Sequence, residues 1–156
     1  QDGVDELDFV VDYKAFKDGE LDTIKYEVSE GTAIGIDAGK SVKWIIESAA
    51  LTSEQIAELT KLISKIVIET VGEEKARNVF VKTSTGFFTP EDGSPGGATI
   101  DAVSIMSQNA GPLKVKASGG IYSKGDVLSM VNAGASRIGT SAAKEIMLGQ
   151  QTDKDY

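Results

Sequence analysis

The stretch Val79-Phe80-Val81-Lys82-Thr83-Ser84-Thr85-Gly86 joins a short apolar run to a lysine and then to a polar turn. Val79, Phe80 and Val81 are β-branched or aromatic and are bounded by hydroxyl residues and glycine, the pattern of a buried strand. Lys82 then falls at the carboxyl end of that strand, where α/β folds gather their functional groups. Taken alone, it reads equally well as a strand-end lysine that lays its stem on apolar surface and its ammonium in water.

The arrangement recurs downstream, where Leu113-Lys114-Val115 precedes Lys116 and Ala117-Ser118-Gly119-Gly120. Residues 7–11, 42–46 and 137–139 are further short apolar runs of strand type. Between the runs the apolar spacing becomes helical over residues 22–38, 53–71, 99–109 and 123–132, with a last helix over 141–148. Thr52 and Gln55 fit a capping box, Thr99 or its neighbour and Ser123 are N-caps, and Gly39, Gly72, Gly111 and Gly134 are stops.

Repeated strand-then-helix units imply right-handed crossovers and a parallel sheet, so the class is α/β. Two architectures fit the pattern. A doubly wound, flavodoxin-like sheet is complete with five strands, whereas a (β/α)₈ barrel needs eight strands and about 250 residues. The chain reads as one domain over residues 1–149 with a polar tail over 150–156.

Composition narrows the chemistry. The 156 residues include no cysteine and no histidine, which excludes thiolate nucleophiles, Ser-His-Asp triads and imidazole-held metals. No imidazole-held metal is expected, and lysine becomes the leading nucleophile. A formal net charge of -8 opposes non-specific nucleic-acid binding, which depends on clustered cations. With no apolar run of membrane-spanning length and no signal-peptide pattern, the expected location is cytoplasmic.

If the strands bearing Lys82 and Lys116 are adjacent and parallel, their ammonium groups approach one another. A like charge and partial burial both disfavour the protonated form, leaving an amine able to attack a carbonyl. Lys43 lies inside the apolar run Val42-Lys43-Trp44-Ile45-Ile46-Glu47, with Glu47 on its own face as a possible partner. Asp8 alternates with Leu7 and Phe9 and so faces the lysines, as an ion-pair partner or a proton relay; Asp12 and Tyr13 are lesser candidates nearby. Gly119-Gly120 before Ser123 and Gly139-Thr140-Ser141 before the last helix read as tight turns or as backbone cradles for an anion, and Gly86 joins them as a phosphate contact. The long loop over residues 84–98 is a connection or a functional segment.

Together these pieces resemble the deoxyribose-phosphate aldolases, from about Val4 to Leu148. Phe80-Val81-Lys82-Thr83-Ser84-Thr85-Gly86-Phe87 is similar to that family's Schiff-base strand, and Gly96-Gly97-Ala98-Thr99 to the start of its next helix. Val115-Lys116-Ala117-Ser118-Gly119-Gly120-Ile121 is similar to its second lysine motif. Leu7 to Val11, Val42 to Glu47 and Arg137 to Ser141 resemble other strands of the same barrel.

The resemblance implies the last five units, strands four to eight, of a (β/α)₈ barrel, with Gln1-Asp2-Gly3 at the end of the third helix. It implies a class I aldolase that cleaves 2-deoxy-D-ribose 5-phosphate reversibly to acetaldehyde and D-glyceraldehyde 3-phosphate. Lys82 would form the imine, Lys116 would lower its pKa and assist proton transfer, Asp8 would join a relay with a bound water, and Lys43 would support the cluster. The pattern departs at Tyr122, where the family often has arginine.

An incomplete barrel exposes two unpaired edges. The expected consequence is a longer native chain or self-association that covers them. The alternative role is a catalytically weak or inactive module that serves as an interaction surface.

Overall fold

The computed structural model describes residues 3–149, and the expectations for Gln1, Asp2 and the tail over 150–156 lie outside them. Five strands form one sheet: β1 (Glu6–Val10), β2 (Ser41–Ile45), β3 (Val79–Lys82), β4 (Lys114–Ser118) and β5 (Arg137–Gly139). All neighbouring pairs are parallel and the spatial order is β1-β2-β3-β4-β5. A doubly wound sheet reverses its strand order part-way, so the flavodoxin-like alternative is excluded.

Alternation along each strand separates two faces. Val42, Trp44, Val79, Val81, Val115 and Ala117 turn toward the helices and join their buried side chains in one core. That core draws Ile24 and Val28 from α2 (Leu21–Asp37), Leu59, Ile63 and Val67 from α3 (Ser53–Ala76), and Val103 and Met106 from α4 (Ile100–Asn109). Helix α2 lies close to β2 because two of its residues lack a side chain: a Cβ on Gly31 would stand 2.8 Å from the Trp44 ring, and one on Gly35 would stand 2.3 Å from Val42 Cγ2. The other face carries Glu6, Asp8, Lys43, Phe80, Lys82, Lys114, Lys116 and Arg137, and none of these belongs to the apolar core.

Helices on one face, charges on the other and strands in sequential order make the sheet a partial (β/α)₈ barrel. The expected capping box at Thr52 and Gln55 forms, with Thr52 N donating to Gln55 Oε1 at 3.0 Å. Thr99 caps α4, and Ser123 caps α5 (Lys124–Asn132).

Several boundaries need correction. Gly72 does not end α3; it breaks the helix with φ 80° and ψ 160°, and the helix resumes to Ala76. The last helix, α6 (Ala143–Met147), is shorter than expected because Thr140 Oγ1 accepts from Ala142 N at 3.0 Å and shapes the turn before it. An unexpected short helix, α1 (Tyr13–Lys17), follows β1, and Asp12 is its N-cap, accepting from Lys14 N and Ala15 N. Asp12 is thereby occupied as a cap, and Tyr13 meets Phe88 edge to face.

Candidate active site

Lys82 ends β3 and Lys116 lies at the middle of β4, and the two stand side by side, since they are register partners and parallel neighbours point to the same face. Asp8 of β1 reaches Lys82 across the charged face, with Lys82 Nζ donating to Asp8 Oδ2 at 2.9 Å. Its other oxygen accepts from Lys43 Nζ at 2.6 Å. Lys43, only 4% exposed, also pairs with Glu6 Oε2 at 2.8 Å. Glu6 in turn holds Arg137 of β5 at 2.7 Å, and the Arg137 guanidinium lies 4.4 Å from the centroid of Phe80. Charges thus alternate in sign along Arg137, Glu6, Lys43, Asp8 and Lys82.

Buried cations need such partners because an unpaired ammonium loses hydration without compensation. Burial pushes the Lys43 ammonium toward its neutral form, but hydrogen bonds and charge from Asp8 and Glu6 outweigh it and the pKa rises. For Asp8 the balance is similar: burial raises its pKa, and the two lysines together bring it below the usual value. Glu6 is also lowered, first by Lys43 and then by Arg137.

Lys116 differs from its neighbours. Its ammonium makes no hydrogen bond or ion pair among the described residues. Burial first, and the Lys82 charge second, lower its pKa. Its stem rests on Gly139, where a Cβ would stand 3.0 Å from Lys116 Cε and 3.6 Å from Nζ.

A cavity of about 600 Å³ opens beside the two amines. It is lined by Lys82, Lys116, Gly86, Gly119, Gly120, Gly139, Thr140 and Ser141, so eight of the ten residues expected at the site converge there. Asp8 and Lys43 lie outside the lining, the former touching Lys82 and the latter behind it. Gly119 is constrained from behind, because a Cβ on Gly97 would stand 2.4 Å from its carbonyl carbon. The Thr140 hydroxyl is committed to the turn, donating to Ile121 O at 2.6 Å. Tyr122, at the position that departs from the family pattern, lines the same cavity.

A deoxyribose-phosphate aldolase from Thermococcus gammatolerans is 40% identical over 150 residues, which is 96% of this chain and 60% of that protein. One from Streptococcus pneumoniae is 40% identical over 157 residues, covering 100% of this chain and 63% of its own length. The chain belongs to the deoxyribose-phosphate aldolase family. Solved structures agree. The tetrameric deoxyribose phosphate aldolase from Aeropyrum pernix superposes with a TM-score of 0.70 at 29% identity, over 94% of this chain and 55% of its own. The aldolase QR15 superposes with a TM-score of 0.69 at 36% identity, over 90% and 56% respectively. The chain therefore spans about three fifths of the length of the curated family members it matches. No protein-family model matches it.

Within this member of the deoxyribose-phosphate aldolase family, two partners of the lysine cluster went unread in the sequence. Glu6 stands two residues before Asp8 and so shares its face, a signal that alternation carries. Arg137 had no such signal, because sequence does not say that the first and last strands meet. The expected partnership of Glu47 with Lys43 does not form. Lys43 turns to Asp8 and Glu6, while Glu47 bonds Thr85 instead. Among the described residues, no helix is long and apolar enough to cross a membrane.

Proposed function

We propose that this chain performs class I aldol chemistry on a small phosphorylated sugar, cleaving 2-deoxy-D-ribose 5-phosphate through an imine on Lys82. The observation that carries the reading is the pairing of Lys82 with Lys116, an amine with no hydrogen bond or ion pair among the described residues and with a lowered pKa, on one cavity wall.

The sugar's aldehyde carbon is attacked by the Lys82 amine, with Lys116 taking the proton that Lys82 must shed. Loss of water from the adduct gives the iminium. A base then removes the proton of the substrate's C3 hydroxyl, the C2–C3 bond breaks, and its electron pair flows into the iminium. D-glyceraldehyde 3-phosphate leaves, and the remaining enamine is protonated at C2. Water adds to the resulting imine and releases acetaldehyde and the free amine. Asp8, fixed by Lys43 and within 2.9 Å of Lys82 Nζ, is placed to pass these protons through a water. Backbone groups of Gly86, Gly119, Gly120, Gly139, Thr140 and Ser141 supply the phosphate end. No step calls for a metal or organic cofactor.

Acetaldehyde release from 2-deoxyribose 5-phosphate, followed with a coupled alcohol dehydrogenase, tests the reading. Release that disappears in Lys82→Ala supports it; release that persists in that variant, or is absent from the parent chain, overturns it. A second reading, an interaction module without turnover, draws on exposed apolar side chains: Tyr26 and Ile34 on α2 and Met147 on α6 are 69%, 63% and 85% exposed. Self-association that survives Lys82→Ala in a chain without turnover would favour it.

A further inference from the structure

Glu47 follows β2 in a backbone conformation that no other non-glycine residue among those described adopts, with φ 52° and ψ 61°. A side chain in the left-handed region is strained. Glu47 is also only 3% exposed, and no lysine or arginine pairs with its carboxylate among the described residues. Strain and burial both oppose a glutamate here, so its bonds must compensate.

Those bonds go to one residue. Thr85 N donates to both Glu47 oxygens, at 3.2 and 3.3 Å, and Thr85 Oγ1 donates to Oε2 at 2.7 Å. Thr85 Oγ1 then accepts from Phe87 N at 3.1 Å. The strand ends are already joined without this help, since Ile46 N donates to Lys82 O at 3.0 Å and Ser48 N to Thr83 O at 2.8 Å. What the carboxylate adds begins just past the strand, where the long loop departs and where Thr85 and Gly86 line the cavity beside Lys82.

We infer that Glu47 is a positioning residue whose carboxylate clamps Thr85 and Gly86 as one wall of the cavity, so that substrate binding depends on it more than folding does. The inference rests on reading the cavity as the aldolase site. Glycine would remove the backbone strain at this position, and the observed glutamate is accounted for by the three hydrogen bonds that only its carboxylate supplies.

Glu47→Gly separates the two roles, because it relieves the strained backbone while deleting the clamp. The expected result is a thermal midpoint close to that of the parent, with amide exchange at Thr85, Gly86 and Phe87 faster by about tenfold or more. Borohydride trapping of 2-deoxyribose 5-phosphate on Lys82 should need roughly fivefold more sugar for half-saturation, with the maximal trapping rate within about twofold. Should Glu47→Gly fail to fold, Thr85→Val, which removes the hydroxyl and leaves Glu47, carries the same readouts, and Thr85→Ser should restore them. Unchanged exchange over Thr85 to Phe87, or a fall in maximal rate at unchanged half-saturation, would overturn the proposal. If the parent traps no sugar at all, the aldolase reading fails, and the exchange comparison still decides the clamp.

Discussion

Arg137 Nη1 stands 2.7 and 2.8 Å from the two carboxylate oxygens of Glu6, although the residues belong to opposite edge strands of a five-stranded sheet. Neighbouring strands lie about 4.8 Å apart, so four flat steps would separate those edges by roughly 19 Å. The contact therefore records how far the sheet curls. Glu6 also serves the buried Lys43, which makes it the joint between the sheet's curvature and the lysine cluster.

This double duty predicts unequal costs. Glu6→Gln leaves Lys43 with one carboxylate in place of two and should lower stability to urea by about 1–3 kcal/mol. Arg137→Met removes a partly exposed ion pair while keeping apolar cover over Phe80, and should cost about 1 kcal/mol or less. A larger loss for Arg137→Met than for Glu6→Gln would contradict the joint role.

Acid should erode the same cluster. Glu6 and Asp8 have folded pKa values below their ordinary 4.5 and 3.8, so the unfolded chain takes up protons first as pH falls. Their contribution is complete above about 4.5 and is lost as pH drops through the lowered folded values. Asp8→Asn should flatten the lower part of that decline in stability measured against pH. An unaltered profile would remove Asp8 from the network.

Lys116 predicts the opposite behaviour in alkali. Its folded pKa lies below 10.5, so the folded state binds fewer protons than the unfolded chain, and stability rises as pH climbs from the folded value toward 10.5. Lys116→Met should therefore stabilise the chain near neutral pH and abolish its contribution to the alkaline rise. Any activity should fall in the same variant. A loss of stability at neutral pH would show that the amine has a partner.

Two glycines separate packing from chemistry. A Cβ at Gly97 would meet the Gly119 carbonyl carbon at 2.4 Å, backbone against backbone, and Gly97→Ala should destabilise by about 1–3 kcal/mol. At Gly139 a Cβ would meet the flexible Lys116 side chain at 3.0 Å and Ser118 Cβ at 3.1 Å, side chains and not backbone. Gly139→Ala should cost less thermal stability than Gly97→Ala and slow imine trapping on Lys82 by displacing the second amine. Equal thermal losses in the two variants would argue against this reading of Gly139.

What sequence reveals here follows from what is local. Strand runs, N-caps and the alternation that sets Asp8 apart from Leu7 and Phe9 are written in residues within a few positions of one another. Even the convergence of Gly86, Gly119, Gly120 and Gly139 follows once parallel order is granted, because each sits at the carboxyl end of its strand or just beyond it. The Glu6–Arg137 contact spans 131 positions and needs the curl itself. Glu47 escaped for another reason: alternation continued past Ile46 places it beside Lys43, but its left-handed backbone breaks the alternation and turns the carboxylate to Thr85. The helix over residues 53–71 continued past Gly72 because the residues beyond it are again good helix formers.

The most direct measurement is peptide mapping after borohydride reduction in the presence of acetaldehyde. An ethyl group fixed on Lys82, absent when Lys82 is replaced by alanine and diminished by Asp8→Asn, is the predicted outcome. An unmodified Lys82, or labelling spread evenly over exposed lysines such as Lys65 and Lys114, would contradict imine chemistry at this site.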